Sequence, residues 1–444
     1  MRSGLGYTRT TLVKAAAVAI VATAACYCTR AAAPPAAPTG VKAFVGATVI
    51  DGTGAAPIAQ AVLIVRRGKI EAVGPAGAVA VPADAERVDV TGRTILPGLV
   101  NAHGHVGDTL GLASGPELYT EDNVRRQLAR YARYGVTTVN SLGGDREAGF
   151  ELRAAQGGED LDRARLYVAG PAIDAATPDA ARAAVDVVAD LNPDFIKIRV
   201  DDNLGTGRKM APEVYRAVID QAHRRQLRVA VHLYYLDDAK AVLRAGADLV
   251  AHSVRDKAVD AEIVDLLKAR DVCVSPTLMR EVSTFVYESR PAFFDDPFFT
   301  READPDVVRQ LEDPERQAGV RSSRAAQQYK RSLETARRNL KALAEAGVRI
   351  AMGTDTGPPA RFQGYFEHLE LGEMVAAGLS PMQAIVAATG DAARCLGLGD
   401  RLGTLRPGLA ADFLVLARSP LDDIANTHSL ESVWIAGNRV PERD

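Results

Sequence analysis

Phe195-Ile196-Lys197-Ile198-Arg199-Val200, Val229-Ala230-Val231-His232-Leu233-Tyr234 and Leu249-Val250-Ala251-His252-Ser253 are three short apolar runs, separated by the helix-like segments Ala211–Arg225 and Leu236–Ala245. Strand side chains alternate between faces with a period of two, so Ile196, Ile198 and Val200 share one face and leave Lys197 on the other. The same rule groups Ala230, His232 and Tyr234. Further strand-like runs occur at Thr94–Val100, Gly135–Asn140 and Arg165–Ala169 on one side, and at Val272–Ser275 and Val348–Met352 on the other. Segments such as Thr120–Tyr134 and Gln327–Ala346 have helical composition and lie between them. Strands alternating with helices over about 270 residues favour an α/β fold of the (β/α)8 TIM barrel type. A doubly wound sheet is the alternative, since alternation alone does not distinguish the two.

Both flanks of this region read as β structure. Val45–Ile50, Ala61–Arg66 and Lys69–Val73 are strand-like, with turns at Asp51-Gly52-Thr53-Gly54 and Arg67-Gly68; Asp412–Leu416 and Ser432–Ile435 match them in style, with a turn at Ala436-Gly437-Asn438. One small β-sandwich domain built from both termini is expected. The implied division is 41–93 and 399–444 for that domain and 94–398 for the barrel. Within the barrel, 279–329 is a long connection after the seventh strand, holding Phe285, Tyr287, Phe293, Phe294, Phe298 and Phe299. Connections that long are uncommon unless functional or disordered. It is expected to lie over the barrel mouth as a lid; packing against helices, or a contact between copies, is the alternative.

Composition bounds the function. Of 444 residues, 47% are hydrophobic and 25% charged, globular values that exclude disordered, collagen-like and coiled-coil chains. A net charge of −3 offers no basic field, so no nucleic-acid partner is expected. Four Cys are too few for a disulfide scaffold, and Cys26 and Cys28 fall in the N-terminal segment. There Arg2, Arg9 and Lys14 precede an apolar run from Ala15 to Cys28, and no acid occurs before Asp51. This is the pattern of a secretory signal, too short for a spanning helix of about 20 residues. Ala31–Pro38 reads as a tether, so residues 1–40 are signal and tether. Thr23-Ala24-Ala25-Cys26 loosely resembles a lipobox, which leaves two outcomes open: a lipid on Cys26 as the means of membrane attachment, or plain cleavage between Ala24 and Ala33. Either way the protein is expected to be exported, periplasmic or secreted, and removing 1–40 moves its charge from −3 to −7.

In a (β/α)8 barrel, chemistry sits at the C-terminal strand ends. Asn101-Ala102-His103-Gly104-His105 follows the first strand, and its two imidazoles, two residues apart, point the same way. Lys197 stands on the lumen face of the fourth strand; a buried ammonium must be paired, deprotonated or modified. His232 and His252 end the fifth and sixth strands. Asp355 ends the eighth, over small Ala351 and Gly353. Each has a bland explanation as a core histidine or a capping acid. Together they place four of seven His, one Lys and one Asp at strand ends one, four, five, six and eight, and a metal site is expected. His223 reads as a solvated helix residue, His428 as part of the terminal β region, and His368 as either a supporting residue or packing.

These residues form the ligand set of the amidohydrolase superfamily, and the sequence resembles its imidazolonepropionase-like and prolidase-like (Xaa-Pro dipeptidase-like) branch over nearly all of the chain beyond the signal. The resemblance is carried by Ala47-Thr48-Val49-Ile50-Asp51-Gly52, by Ile95-Leu96-Pro97-Gly98-Leu99-Val100 running into the His103/His105 motif, and by Met352-Gly353-Thr354-Asp355-Thr356-Gly357. His368-Leu369-Glu370-Leu371, Ala387-Ala388-Thr389 and Gly408-Leu409-Ala410-Ala411-Asp412 extend it. It implies two divalent ions: His103, His105 and Asp355 would hold one, His232 and His252 the other, and Lys197 would be carboxylated to bridge them. A bridging hydroxide would attack a polarised carbonyl, with Asp355 as general base and then acid. The donor set suits Zn²⁺, and also Mn²⁺, Co²⁺ or Fe²⁺. Tyr234 matches a family position that reaches substrate, and Arg199 is a second candidate for a substrate carboxylate, or else a structural partner of Asp201 or Asp202. Gly170-Pro171-Ala172-Ile173 lacks the Gly-Gly-His of prolidase-like relatives, and Arg199-Val200-Asp201-Asp202-Asn203 replaces their Thr-Gly-Gly, which argues against a Xaa-Pro substrate.

The expected function is metal-dependent hydrolysis of an amide or peptide-like C–N bond in a small molecule, by a homo-oligomer. A lactone or phosphotriester hydrolase on the same centre is the alternative. A non-catalytic binding module would not need all six ligand positions.

Overall fold

The computed structural model describes residues 40–158 and 161–443, which leaves the expected signal and Cys26 outside the described residues. The first five strands are β1 (Val41–Val49), β2 (Ile58–Arg66), β3 (Lys69–Pro75), β4 (Glu86–Asp89) and β5 (Thr94–Pro97). After Gly98 the chain enters β6 (Leu99–Gly104) and a short hairpin, β7 (Thr109–Leu110) with β8 (Ala113–Ser114). Strands and helices then alternate: α1 (Glu121–Arg133), β9 (Val136–Ser141), α2 (Glu147–Ala154), β10 (Arg165–Val168), α3 (Pro178–Ala189), β11 (Phe195–Val200), α4 (Pro212–Arg224), β12 (Arg228–Leu233), α5 (Leu236–Ala245), β13 (Leu249–Ala251), α6 (Ala261–Ala269) and β14 (Cys273–Ser275).

The ring closes by hydrogen bonds. β6, β9 and β10 pair in parallel, as do β11, β12, β13 and β14. Ile173 bridges the first group to Ile198 of β11, its N–H donating to the Lys197 carbonyl at 2.9 Å. The eighth stave is the extended segment 350–356, where Ile350 bridges Val274 and Thr356 bridges Gly104. The result is a (β/α)8 barrel. Its strands sort by alternation: Ile196, Ile198, Val200, Val229, Val231 and Leu233 pack outward against the helices. Phe195, Ala230, Leu249 and Ala351 fill the lumen.

The sequence run Thr94–Val100, expected as one strand, is two. β5 pairs with β1 and with the C-terminal run Phe413–Leu416, whereas β6 is the first barrel stave. The break falls at Pro97-Gly98, where a Cβ on Gly98 would lie 2.1 Å from Thr137 Oγ1, so only glycine allows the crossing.

The long connection after β14 is helical. α7 (Leu278–Phe285), α8 (Pro297–Thr300), α9 (Pro305–Leu311), α10 (Pro314–Ser322) and α11 (Arg324–Glu345) fill it. Asp296, Asp304 and Asp313 each cap a helix whose first residue is proline. α12 (Tyr365–Ala376), α13 (Pro381–Ala387) and α14 (Gly390–Cys395) complete the barrel, and β15 (Phe413–Leu416), β16 (Leu430–Ile435) and β17 (Asn438–Arg439) return to the first sheet. That sheet runs β17-β16-β15-β5-β1-β2-β3, with β4 on β1, and so draws strands from both termini. Phe44, Phe413 and Trp434 meet in its core, with Phe44 edge-on to both partners at 4.9 and 4.8 Å.

Cys273 at the start of β14 is disulfide-bonded to Cys395 at the end of α14. Among the described residues no helix is long and apolar enough to cross a membrane.

Candidate metal centre

The mouth of the barrel gathers all six residues expected as ligands. His103 and His105 leave the end of β6 and meet Asp355: Nε2 of His105 lies 2.9 Å from Asp355 Oδ1, and Nε2 of His103 lies 3.4 Å from it. The nitrogen and oxygen donors of these three residues lie within 4.8 Å of one another. Asp355 is held in the left-handed region (φ 57°) by its N–H donating to the His103 carbonyl at 2.7 Å. Gly353 leaves no room for a side chain, since a Cβ would sit 2.2 Å from Ser275 Oγ. Beneath, buried Glu367 of α12 accepts from Asn101 Nδ2 at 2.6 Å and from the hydroxyls of Thr354 and Thr356 at 2.7 Å each, tying β6 to the eighth stave.

Lys197 is buried, its Nζ 3.3 Å from His103 Nε2. Burial brings its pKa down to about 8, despite the opposing pull of Asp355. On the far side, His232 Nδ1 faces His252 Nε2 at 2.7 Å. His232 Nε2 meets Asp201 Oδ2 at 2.9 Å, and His252 Nδ1 meets Thr277 Oγ1 at 2.7 Å. His252 and Thr277 also have left-handed backbone, φ 74° and 48°. Burial takes His232 down to about 3 and holds His103 and His252 well below the ordinary imidazole value, so all three are neutral. For Asp355 burial works upward, but the Arg361 guanidinium and the His105 contact outweigh it and hold the carboxyl well below the usual range.

This donor set fits divalent cations. Neutral His232, donating through Nε2 to Asp201, turns an acceptor nitrogen toward His252. His252 places Nδ1 against the Thr277 hydroxyl and turns Nε2 back toward His232. On the other side the His105 Nδ1 donates to the Gly143 carbonyl at 3.0 Å, which turns Nε2 toward the Asp355 carboxylate oxygen. Asp201 holds a proton on His232 Nε2 and the Gly143 carbonyl holds one on His105 Nδ1, so His232 Nδ1 and His105 Nε2 are the nitrogens turned into the centre.

Several groups here were not anticipated from sequence. Arg255, fully buried, reaches Glu281 through Nε at 2.9 Å, and Arg280 reaches the same carboxylate at 3.0 Å. Both guanidinium groups face tyrosine rings, Arg255 over Tyr234 at 4.7 Å and Arg280 over Tyr329 at 4.3 Å. Tyr234 is buried at the same place and its hydroxyl bonds Ser332 of α11 at 2.6 Å. Arg199 is half-exposed and bonds Asp201 at 3.3 Å and Asn203 at 3.2 Å.

Other expectations need correction. The aromatic residues of 279–329 form no apolar wall over the ligands: Phe293 and Phe294 pack with Phe298, Phe299, Tyr365 and Phe366 into their own cluster on α12. His223 is not merely solvated but bonds Asp248 at 2.9 Å. His368 is a packing residue, with Nε2 on the Tyr134 carbonyl at 2.7 Å and its ring edge-on to Phe298. His428 joins the same cluster, stacked on Phe298 and paired with Asp296 at 3.2 Å.

Comparison with known proteins accords with this geometry. The pattern of the Amidohydrolase family matches residues 94–440, and the chain belongs to that family. An uncharacterized protein of Mycobacterium tuberculosis is 27% identical over 350 residues, covering 74% of this chain and 80% of its own. Ochratoxinase of Aspergillus niger is 26% identical over 243 residues, 53% of this chain and 42% of that enzyme. Among solved structures, a Xaa-Pro dipeptidase with bound methionine in its active site superimposes with a TM-score of 0.73 at 22% identity, over 90% of this chain and 99% of its own. That likeness concerns the fold.

Proposed function

We propose that this member of the Amidohydrolase family is an exported hydrolase with two divalent metal ions, acting on an amide or peptide-like C–N bond of a small molecule. The observation that supports it best is the convergence of His103, His105 and Asp355, whose donor atoms lie within 4.8 Å of one another, with the His232–His252 pair on the far side. His103, His105 and Asp355 would hold one ion, His232 and His252 the other, with a carboxylated Lys197 between; zinc is the metal this set suits best. Such ions, when bound, polarise a carbonyl and acidify water.

The protein's own groups do the rest. Asp355, ionised and aimed by its strained backbone, takes a proton from water and delivers it to the leaving nitrogen. Arg361, bound to the Asp355 carboxylate and its carbonyl, keeps that carboxylate in place. Asp201 holds the His232 imidazole in a fixed tautomer, and Thr277 orients the His252 ring. Arg199, half-exposed at the mouth, and the Tyr234 hydroxyl offer donors to a polar end of the substrate. Export is supported by the Cys273–Cys395 bond, since disulfides persist in oxidising compartments.

The test combines elemental analysis with a substrate screen. Protein purified without chelator should contain close to two divalent ions per chain. It should hydrolyse members of an N-acyl amino acid and dipeptide panel, in preference to lactones and aryl phosphotriesters. A fully active metal-free preparation would overturn the mechanism, and preference for lactones or phosphotriesters would overturn the bond assigned. Fractionation of the source cells, with the chain recovered inside the cytoplasm, would overturn export.

A further inference from the structure

We infer that the molecule has a second binding site, for an organic carboxylate with an apolar body, in a cavity beside the metal centre. The cavity has a volume of about 350 Å³. It lies between the β7–β8 hairpin, α1, the inserted helices and the loop after the eighth stave. Arg126, Arg130 and Arg361 supply its basic wall; Leu110, Phe299, Val307 and Phe362 supply an apolar one.

The charges in this wall are unbalanced. Glu302 is already taken, bound by both Nε and Nη2 of Arg133 at 2.5 and 2.8 Å. Asp304 spends an oxygen on the Asp306 N–H at 2.9 Å, capping α9. Arg130 has neither a hydrogen bond nor an ion pair from its guanidinium among the described residues, and its Nε is buried without a partner. Arg126 has a single side-chain partner, the neutral Asn123. A guanidinium removed from water needs an acceptor, and its planar fork matches a carboxylate in two parallel bonds. The volume is at the small end of the range typical of small-molecule sites, about 300–1,000 Å³. The aromatic and aliphatic wall opposite the arginines fits an alkyl or aryl body.

The site is separate from the centre but touches it. A smaller cavity of about 150 Å³ holds His105, Asp108 and Ser114, and Thr109, Gly357 and Pro358 line both. Arg361 is the cation shared with Asp355. The inference stands whether or not the centre is a hydrolase, because it rests on the cavity alone.

The experiment is isothermal titration of the metal-replete protein with 4-phenylbutyrate, against 4-phenylbutan-1-ol and inorganic phosphate as controls. The acid should bind at one site at least tenfold more tightly than either control. Arg130→Met, nearly isosteric but uncharged, and Arg126→Gln should each weaken it at least tenfold, with metal content and circular dichroism unchanged. Arg126 is exposed on α1, so its variant decides alone if Arg130→Met fails to fold. Equal binding of the alcohol or of phosphate overturns the inference. So does undiminished affinity in the variants, which would place the acid at the metal centre.

Discussion

The two ends of the barrel are built on opposite principles. At the mouth, His252, Thr277 and Asp355 are held in left-handed backbone, Lys197 is buried among imidazoles, and Arg255 and Arg280 share one carboxylate. At the floor, Phe195, Ala230, Leu249 and Ala351 form an apolar layer, with the Arg228 guanidinium over the Phe195 ring at 4.2 Å. There Arg228 donates to the last carbonyls of α14 at 2.7 and 2.6 Å, and Cys273 is tied to Cys395. Strain and buried charge destabilise by roughly 1–3 kcal/mol per strained residue and persist only where surroundings over-determine them. Left-handed residues also stand in the loops at the floor, at Asn192, Gln226 and Asp271, so what sets the mouth apart is its cluster of ionisable side chains, which the chemistry needs and the fold does not. Substitutions at the mouth should therefore cost activity, and those at the floor stability.

The largest effect tests the mouth. Asp355→Asn keeps the shape but cannot accept a proton; kcat should fall about 10³-fold, within the range general acid–base groups supply. The melting temperature should stay within a few degrees, read by calorimetry. Near-normal kcat in a properly metallated variant would move the proton-handling role elsewhere. Next comes Lys197→Ala, which removes the group between the two halves of the centre. Activity should fall about 10²-fold together with metal content, while acetate or propionate, filling the vacated space with a carboxylate, should restore part of it saturably. An ordinary ammonium ion pair would predict no rescue, because an added anion cannot replace a cation.

Much of this contrast was legible in the sequence, because both ends rest on local alternation. β11 and β12 declare their lumen faces through Lys197 and His232, and the eighth stave through Asp355. What was not legible depends on distance or on a boundary. The Cys273–Cys395 pair spans 122 residues and carries no local signal. Nor does the sharing of Glu281 by Arg255 and Arg280, which the barrel brings together from two connections. Thr94–Val100 read as one strand because apolarity runs unbroken past Pro97, although the chain changes sheet there. The helices of 279–329 did have a signal: Asp296-Pro297, Asp304-Pro305 and Asp313-Pro314 are three cap-plus-proline starts, masked by an irregular run of aromatics.

A smaller effect tests the floor. Removing a native disulfide costs about 2–5 kcal/mol, and a separation of 122 residues puts this one toward the upper end. Cys273→Ala combined with Cys395→Ala should lose roughly that amount in urea unfolding. kcat should not change, since Cys273 begins the stave whose other end carries Thr277. A parallel loss of kcat would mean that the two ends are coupled through β14.

The last effect, on stability and its pH dependence alone, concerns a mouth residue outside the chemistry. Glu370 of α12 is fully buried, and its two oxygens accept from the N–H groups of Leu278 and Met279 at 2.8 and 2.7 Å, fastening the start of α7. Burial outweighs those bonds and pushes its pKa from 4.5 up to about 8. The sign follows from the proton count. Between these values the unfolded chain has lost the proton and the folded chain keeps it, so folding takes up a proton. The contribution is complete below pH 4.5 and gone above about 8, falling by at most about 1.4 kcal/mol per pH unit between. Glu370→Gln cannot titrate, and its amide turns a donor toward one backbone N–H, so its absolute stability should be lower. The readout is the slope: wild-type stability minus that of Glu370→Gln should shrink steadily from pH 5 to pH 8 in urea unfolding. Parallel curves would mean that the two N–H groups hold Glu370 ionised, and that a charge buried at the mouth can be stabilised by backbone alone.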